Sequence, residues 1–246
     1  LNCFSDQAPK LDWMEQYFTF KNEFKEKNTL GSQMFSFFKR FLKDADLLDD
    51  NGFTRFAEII SDIGLDENLS WALMLANLAY NPQIGWYICN ISFGETMSKE
   101  YVCSMLVDSG ADEKWVNDVW SSLARILDLP FSHVGLGEMV KEKNKAVALY
   151  RTGWQVPDER VILYSLYQCA EKCGNFKQLT LTRLLDTSIE SDGISPTQIF
   201  GLNRDTMEKV LNGLTFNYPD LIEARFTLGL DNITLKSNKS AEEILN

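Results

Sequence analysis

Apolar residues recur every three or four positions along most of this chain, the spacing that gathers them on one face of an α-helix. Met34, Phe35, Phe37, Phe38, Phe41 and Leu42 follow Ser32, which predicts a helix from about Gln33 to Asp46, capped by the serine and wide in its phenylalanine face. A polar turn from Leu47 to Phe53 then leads to Thr54, which caps a second helix ending at Gly64. A third runs from Ser70 to Tyr80, where the Asn81-Pro82 pair stops it before a turn and a half-buried segment. Ser98 caps a helix carrying Tyr101, Val102, Met105 and Leu106 and closed by Gly110. Asp112 opens the next, with Trp115, Val119, Leu123 and Ile126 in one stripe.

After that helix the period shortens to two. Gly137 to Val140 and Ala146 to Arg151 are short strand-like runs around Lys141-Glu142-Lys143-Asn144-Lys145, a β-hairpin with a charged tip. Thr152 to Pro157 reads as a connector. Asp158 caps a helix from Glu159 to Cys173, Thr180 opens a short one, and Ser195-Pro196-Thr197-Gln198 has the order of a capping box with proline at the first helical position. Asn203 caps the helix of Met207, Val210, Leu211 and Leu214. Ile222, Ala224, Phe226 and Leu228 then alternate with polar residues as a strand, which Gly229 to Asn232 turns back into Ile233-Thr234-Leu235. The polar tail from Lys236 is expected to fray. Helix, helix, hairpin thus occurs twice. The expected fold is mainly α with small β-hairpins, as tandem winged-helix-like domains over residues 1–152 and 153–246.

Composition leaves that picture intact: 45% hydrophobic and 24% charged residues in 246 belong to a folded globular chain long enough for one or two cores. The 27 uncharged residues from Asn68 to Gly94 could cross a bilayer by length, but the asparagines and the Asn81-Pro82 break argue for a buried helix and no membrane partner. Five dispersed cysteines and no basic-then-apolar leader fit a reducing, cytoplasmic location. The chain starts at Leu1 and not at Met, which suggests a processed chain or a segment of something longer.

Charge narrows the partners. The net −11 divides into −7 up to Gly153 and −4 beyond it, opposite in sign to a domain that grips nucleic acid by neutralising phosphates. The most basic spot lies in the first module, where Lys141, Lys143, Lys145 and Arg151 of the hairpin join Lys114 and Arg125 of the preceding helix as candidate nucleic-acid contacts. That helix is also expected to expose Asn117, Asp118, Ser121 and Ser122. In the second module Arg204, Asp205, Glu208, Lys209 and Asn212 carry no net charge. Any DNA contact is therefore expected to be weak, and protein docking is favoured.

No catalytic motif is visible. His133 is the one histidine, so neither a triad nor a histidine-based metal site can be assembled around it, and it reads as a loop residue. Cys169 and Cys173 share a helix face and read as packed free thiols, because structural zinc wants four ligands. Asp44, Asp46, Asp49 and Asp50 form an acidic cluster that reads as a solvated turn, with magnesium binding as the alternative. Neither a phosphate-binding P-loop nor a dinucleotide-binding glycine motif occurs. No cofactor or metal is implied.

Three stretches carry a family resemblance: GSQMFSFFKRFLKDADLL from Gly31, GLDENLSWALMLANLAYNPQIGWYICN from Gly64, and the text from ERVILYSLYQCAEKCG to GISPTQIFGLNRDTMEKVLNGLTFNYPDLIEARFTLGLDNITL. They resemble the C-terminal region of large bacterial phosphoadenosine phosphosulfate reductase-like proteins, relatives of the PP-loop ATP pyrophosphatases. The second half is also similar to a bacterial family of unknown function associated with DNA phosphorothioation. The resemblance implies that a phosphate-binding catalytic part precedes Leu1, that this chain supplies no catalytic residue, and that its partner is an upstream catalytic domain, another protein or DNA. The expected role is an accessory one in sulfur chemistry performed elsewhere. The rival expectation is a stand-alone metal-dependent DNA nickase using the carboxylates near Asp49.

Overall fold

Leu11 to Phe20 (α1) and Phe24 to Lys27 (α2) lay an aromatic floor for Ser32–Asp44 (α3) in the computed structural model, which describes residues 1–188, 191–227 and 230–245. Tyr17, Phe24 and Phe38 meet edge to face, with ring centroids 5.4 Å (Tyr17–Phe24) and 5.7 Å (Phe24–Phe38) apart. Edge-to-face packing suits the quadrupoles of aromatic rings. The cap of α3 is Gly31 and not Ser32, which already lies in the helix and makes no capping bond. The chain forms two compact units, Leu1–Thr152 and Gly153–Asn246.

In the first unit Thr54 caps Arg55–Ile63 (α4), accepting from the Ala57 amide at 2.9 Å, and Gly64 ends it at φ +96°. Asn68–Leu78 (α5) is buried from Ser70 to Leu78 on every face, which is why its sequence shows no amphipathic stripe. Its polar residues are satisfied internally: the Ser70 hydroxyl donates to the Gly64 carbonyl at 2.6 Å and Asn77 donates to the Ala45 carbonyl at 3.2 Å. Among the described residues no helix is long and apolar enough to cross a membrane.

The expected turn after Tyr80 is instead another helix, Pro82–Asn90 (α6). Asn81 accepts from the Gln83 and Ile84 amides while Pro82 takes the first helical position, so the pair that stops one helix starts the next. Thr96–Ser98 (β1) leads into Lys99–Asp108 (α7), with Ser98 as its cap, and Val116–Leu127 (α8) follows a short 3-10 turn capped by Asp112. Glu138–Glu142 (β2) and Lys145–Tyr150 (β3) close an antiparallel sheet in the order β1-β3-β2. Lys143 and Asn144 both have positive φ, +47° and +65°, the two-residue geometry that matches strand twist.

The second unit begins at once, without a loose connector. Trp154 is buried, its amide donates to the Phe200 carbonyl at 2.7 Å, and a Cβ on Gly153 would collide with the Gly201 carbonyl. Asp158 caps Glu159–Lys172 (α9); Gln178–Thr180 (β4) runs into Leu181–Leu185 (α10), capped by Thr180. Pro196–Phe200 (α11) is capped by Ser195, and Arg204–Asn217 (α12) by Asn203. Ile222–Thr227 (β5) and Leu230–Leu235 (β6) complete a sheet of order β4-β6-β5, with Ala224 opposite Ile233. Leu228 and Gly229 of the expected strand and turn lie outside the described residues, and Asp231 and Asn232 belong to β6.

The tail does not fray. The Ser237 amide donates to the Tyr167 hydroxyl at 3.1 Å, the Ala241 amide to the Glu171 carboxylate at 2.7 Å, and the Ala241 side chain is buried. Each unit is thus mainly helical with one small three-stranded antiparallel sheet.

Candidate binding surfaces

The six basic residues singled out by sequence meet different fates. Lys141 on β2 reaches both oxygens of Asp128 at 2.7 and 2.8 Å. Lys114 pairs with Asp112 at 3.1 Å and lies 5.4 Å from the centre of the Trp115 ring. Arg125 donates to the Gln7 side chain at 2.8 Å and lies 3.9 Å from Asp6. Lys143 and Lys145 are exposed at the hairpin, and among the described residues neither pairs with a carboxylate. Exposed pairs of this kind are each worth about 0 to 1 kcal/mol, so they lower the local potential without locking the lysines away.

Arg151 departs from the expectation entirely. It stands just beyond β3 with its side chain fully buried, donating to the carbonyls of Ile88 at 2.7 Å and Ile91 at 3.2 Å. These carbonyls lie at the C-terminal end of α6, where the helix has no amide of its own to offer. The guanidinium sits over the rings of Phe93 and Tyr87, 4.0 and 5.5 Å from their centres, and burial lowers its pKa to about 10. It is a core residue and unavailable to nucleic acid. Ser122 likewise is buried, accepting from Gln83 at 3.1 Å.

Trp115 makes the opposite move. It lies in the 3-10 turn before α8, whose tighter winding shifts it out of phase with Val119 and Leu123, and it is 45% exposed. Tyr101 on α7 is 58% exposed and Phe216 on α12 86%, so each unit presents an aromatic side chain to solvent. In the second unit Arg204 pairs with Glu208 at 3.3 Å and lies 3.8 Å from Asp231, which itself accepts from the amide and hydroxyl of Thr182. Those hydrogen bonds, the Thr182 hydroxyl foremost, hold the Asp231 carboxyl below its usual range.

The acidic cluster is dispersed among separate partners. Asp44 accepts from Asn81 at 2.7 Å, Asp49 accepts from the Asn51 amide at 2.7 Å in a local turn, and Asp50 pairs with Lys43 at 2.6 Å. Among the described residues no three His, Cys, Asp or Glu side chains converge as a metal site. His133 is exposed in a 3-10 turn.

The two helix-sharing cysteines line a cleft of about 350 Å³ in the second unit, with Arg183, Asp186, Ser191 and Gly193 around it. Cys169 is buried, and burial first, then the neighbouring Cys173, pushes its thiol pKa up to about 12. Cys173 at the helix end is half-buried, its sulfur 3.1 Å from the Ser191 hydroxyl. The cysteines are legible in the sequence, but the cleft depends on Ser191 and Gly193, which no local pattern ties to α9.

No protein-family model, curated protein or solved structure matches the chain.

Proposed function

We propose that the chain is a tandem pair of winged-helix modules with a binding role, an accessory region that docks a protein partner for chemistry performed outside it. One observation carries this reading. Each unit runs helix, short strand, helix, helix, hairpin, and in each the short strand pairs with the returning strand of the hairpin, as β1-β3-β2 and β4-β6-β5. The same connectivity twice in one chain supports two copies of a module whose second helix and hairpin form its contact face.

Protein is favoured over DNA as the principal partner by charge and by aromatic exposure. Both halves are acidic, and three of the six candidate cations are already paired with carboxylates while a fourth is buried. Tyr101, Trp115 and Phe216 are exposed aromatics of the kind enriched at protein interfaces. DNA contact is limited to the β2–β3 hairpin and is weak. The resemblance to reductase-like C-terminal regions supplies the context, with sulfur transfer, including that of DNA phosphorothioation, as the chemistry served. The dispersed carboxylates near Asp49 give the nickase reading no support.

Purified chain assayed with phosphoadenosine phosphosulfate and a dithiol reductant, with ATP, and with supercoiled plasmid plus magnesium is expected to show no turnover. Robust turnover in any of these, abolished by a point substitution within the chain, would overturn the accessory reading.

A further inference from the structure

We propose that Cys169 and Cys173 form a preorganised dithiol site that binds trivalent arsenic, as arsenite or an organoarsenical, in the cleft of the second unit. The pair is not two isolated cysteines. They lie four residues apart on α9 and its cap, so their side chains share one face, and the two thiols are in hydrogen-bonding contact. An ideal Cβ on Gly193 would stand 2.8 Å from the Cys173 sulfur and 2.9 Å from that of Cys169, so both sulfurs face the same point of backbone. The cleft of about 350 Å³ opens beside them, large enough for an aryl group.

The donor set selects the ligand. Tetrahedral zinc wants four ligands, and among the described residues no third His, Cys, Asp or Glu joins the pair. Trivalent arsenic bonded to one retained substituent needs two further bonds, which the two sulfurs supply together. A monoaryl arsenic oxide reacts as R–As=O + 2 Cys–SH → R–As(S–Cys)₂ + H₂O. Two As–S bonds form, the As=O bond breaks, both thiol protons leave in water, and no atom changes oxidation state. The product is uncharged at the sulfurs, which suits a site where burial disfavours a thiolate. A second bond made within the same pair is intramolecular, so it forms at high effective concentration.

The probe is phenylarsine oxide, added to the full chain under reducing conditions that are then removed. The expected result is one phenylarsenic unit per chain by intact mass, two fewer reactive thiols by titration, and a raised melting temperature. A 1,2-dithiol should reverse all three, while a monothiol at equal thiol concentration should not. Cys173→Ala, at the half-buried position, should abolish the adduct and the thermal shift, and Cys89→Ser with Cys103→Ser should keep both. Cys169→Ser should match Cys173→Ala if it folds, which far-ultraviolet circular dichroism checks. Absence of an adduct on the folded wild-type chain, or an adduct that survives Cys173→Ala, would overturn the proposal.

Discussion

Arg151 lies 4.0 Å from the centre of the Phe93 ring with its guanidinium shut away from solvent, donating to carbonyls more than fifty residues earlier in the chain. A cation that looks like part of a basic binding face therefore holds the end of α6 against the first sheet. Arg151→Ala removes the donors and leaves a cavity, and it should cost about 3 to 5 kcal/mol of stability in urea unfolding. Arg151→Met keeps most of the stem yet leaves the Ile88 and Ile91 carbonyls unsatisfied, for a smaller loss of about 1 to 3 kcal/mol. A loss below about 0.5 kcal/mol in both variants would show that the buried contacts are not what hold this corner.

The caps were legible because their chemistry is local. Thr54, Ser98, Asp158, Thr180 and Asn203 each accept from an amide two or three residues on, and the sequence places each at the start of its helix. The hairpin was legible for the same reason, since a period of two broken by Lys143-Asn144 needs no distant partner. Arg151, Ser122 and Trp154 were not. Their burial is decided by Ile88, Gln83 and Phe200, residues far along the chain. Helix α6 had a usable signal in Asn81-Pro82, because an asparagine cap with proline at the next position starts a helix as readily as it ends one.

The tail gives a second stability test. Deleting residues 237–246 removes the amide bonds to Tyr167 and Glu171 and exposes the site where Ala241 is buried. The truncated chain should lose about 1 to 3 kcal/mol by denaturant titration, chiefly from buried polar groups left unpaired. An unchanged midpoint would mean the segment frays after all.

Burial of Cys169 sets a pH dependence with a definite sign. Its pKa is raised from 9.0 to about 12, so the folded state holds the thiol proton more tightly than the unfolded chain does. The resulting stability is fully present below pH 9, falls as pH rises through that window, and is lost above about 12. At about 1.4 kcal/mol per unit the full effect is about 4 kcal/mol. Tyr17 and Tyr87, raised by burial in the same direction, add to the alkaline loss in the first unit. Cys169→Ala should therefore flatten the decline of stability above pH 9 without removing it. An identical decline in wild type and variant would assign the whole effect to the tyrosines.

Gly153→Ala tests how tightly the second unit begins. A Cβ there would stand 1.9 Å from the Gly201 carbonyl, so backbone has to move. A loss of about 2 kcal/mol or more in unfolding is expected, in the range of overpacked core sites; a loss below 0.5 kcal/mol, on the scale of an ordinary surface change, would contradict the close approach of the two glycines.

The balance between protein docking and DNA gripping is tested most directly by a salt titration of DNA binding, read as fluorescence anisotropy of a labelled duplex. With Lys141 paired to Asp128 and both halves acidic, binding should be micromolar or weaker at low salt and gone near about 0.2 M, because few counterions are released and screening confines the hairpin's field to about 8 Å. Lys141→Glu, Lys143→Glu and Lys145→Glu together should remove what binding there is and leave the melting temperature unchanged. Nanomolar binding that persists at about 0.2 M salt and survives that triple substitution would contradict the account, and would place a DNA grip on a surface other than the β2–β3 hairpin.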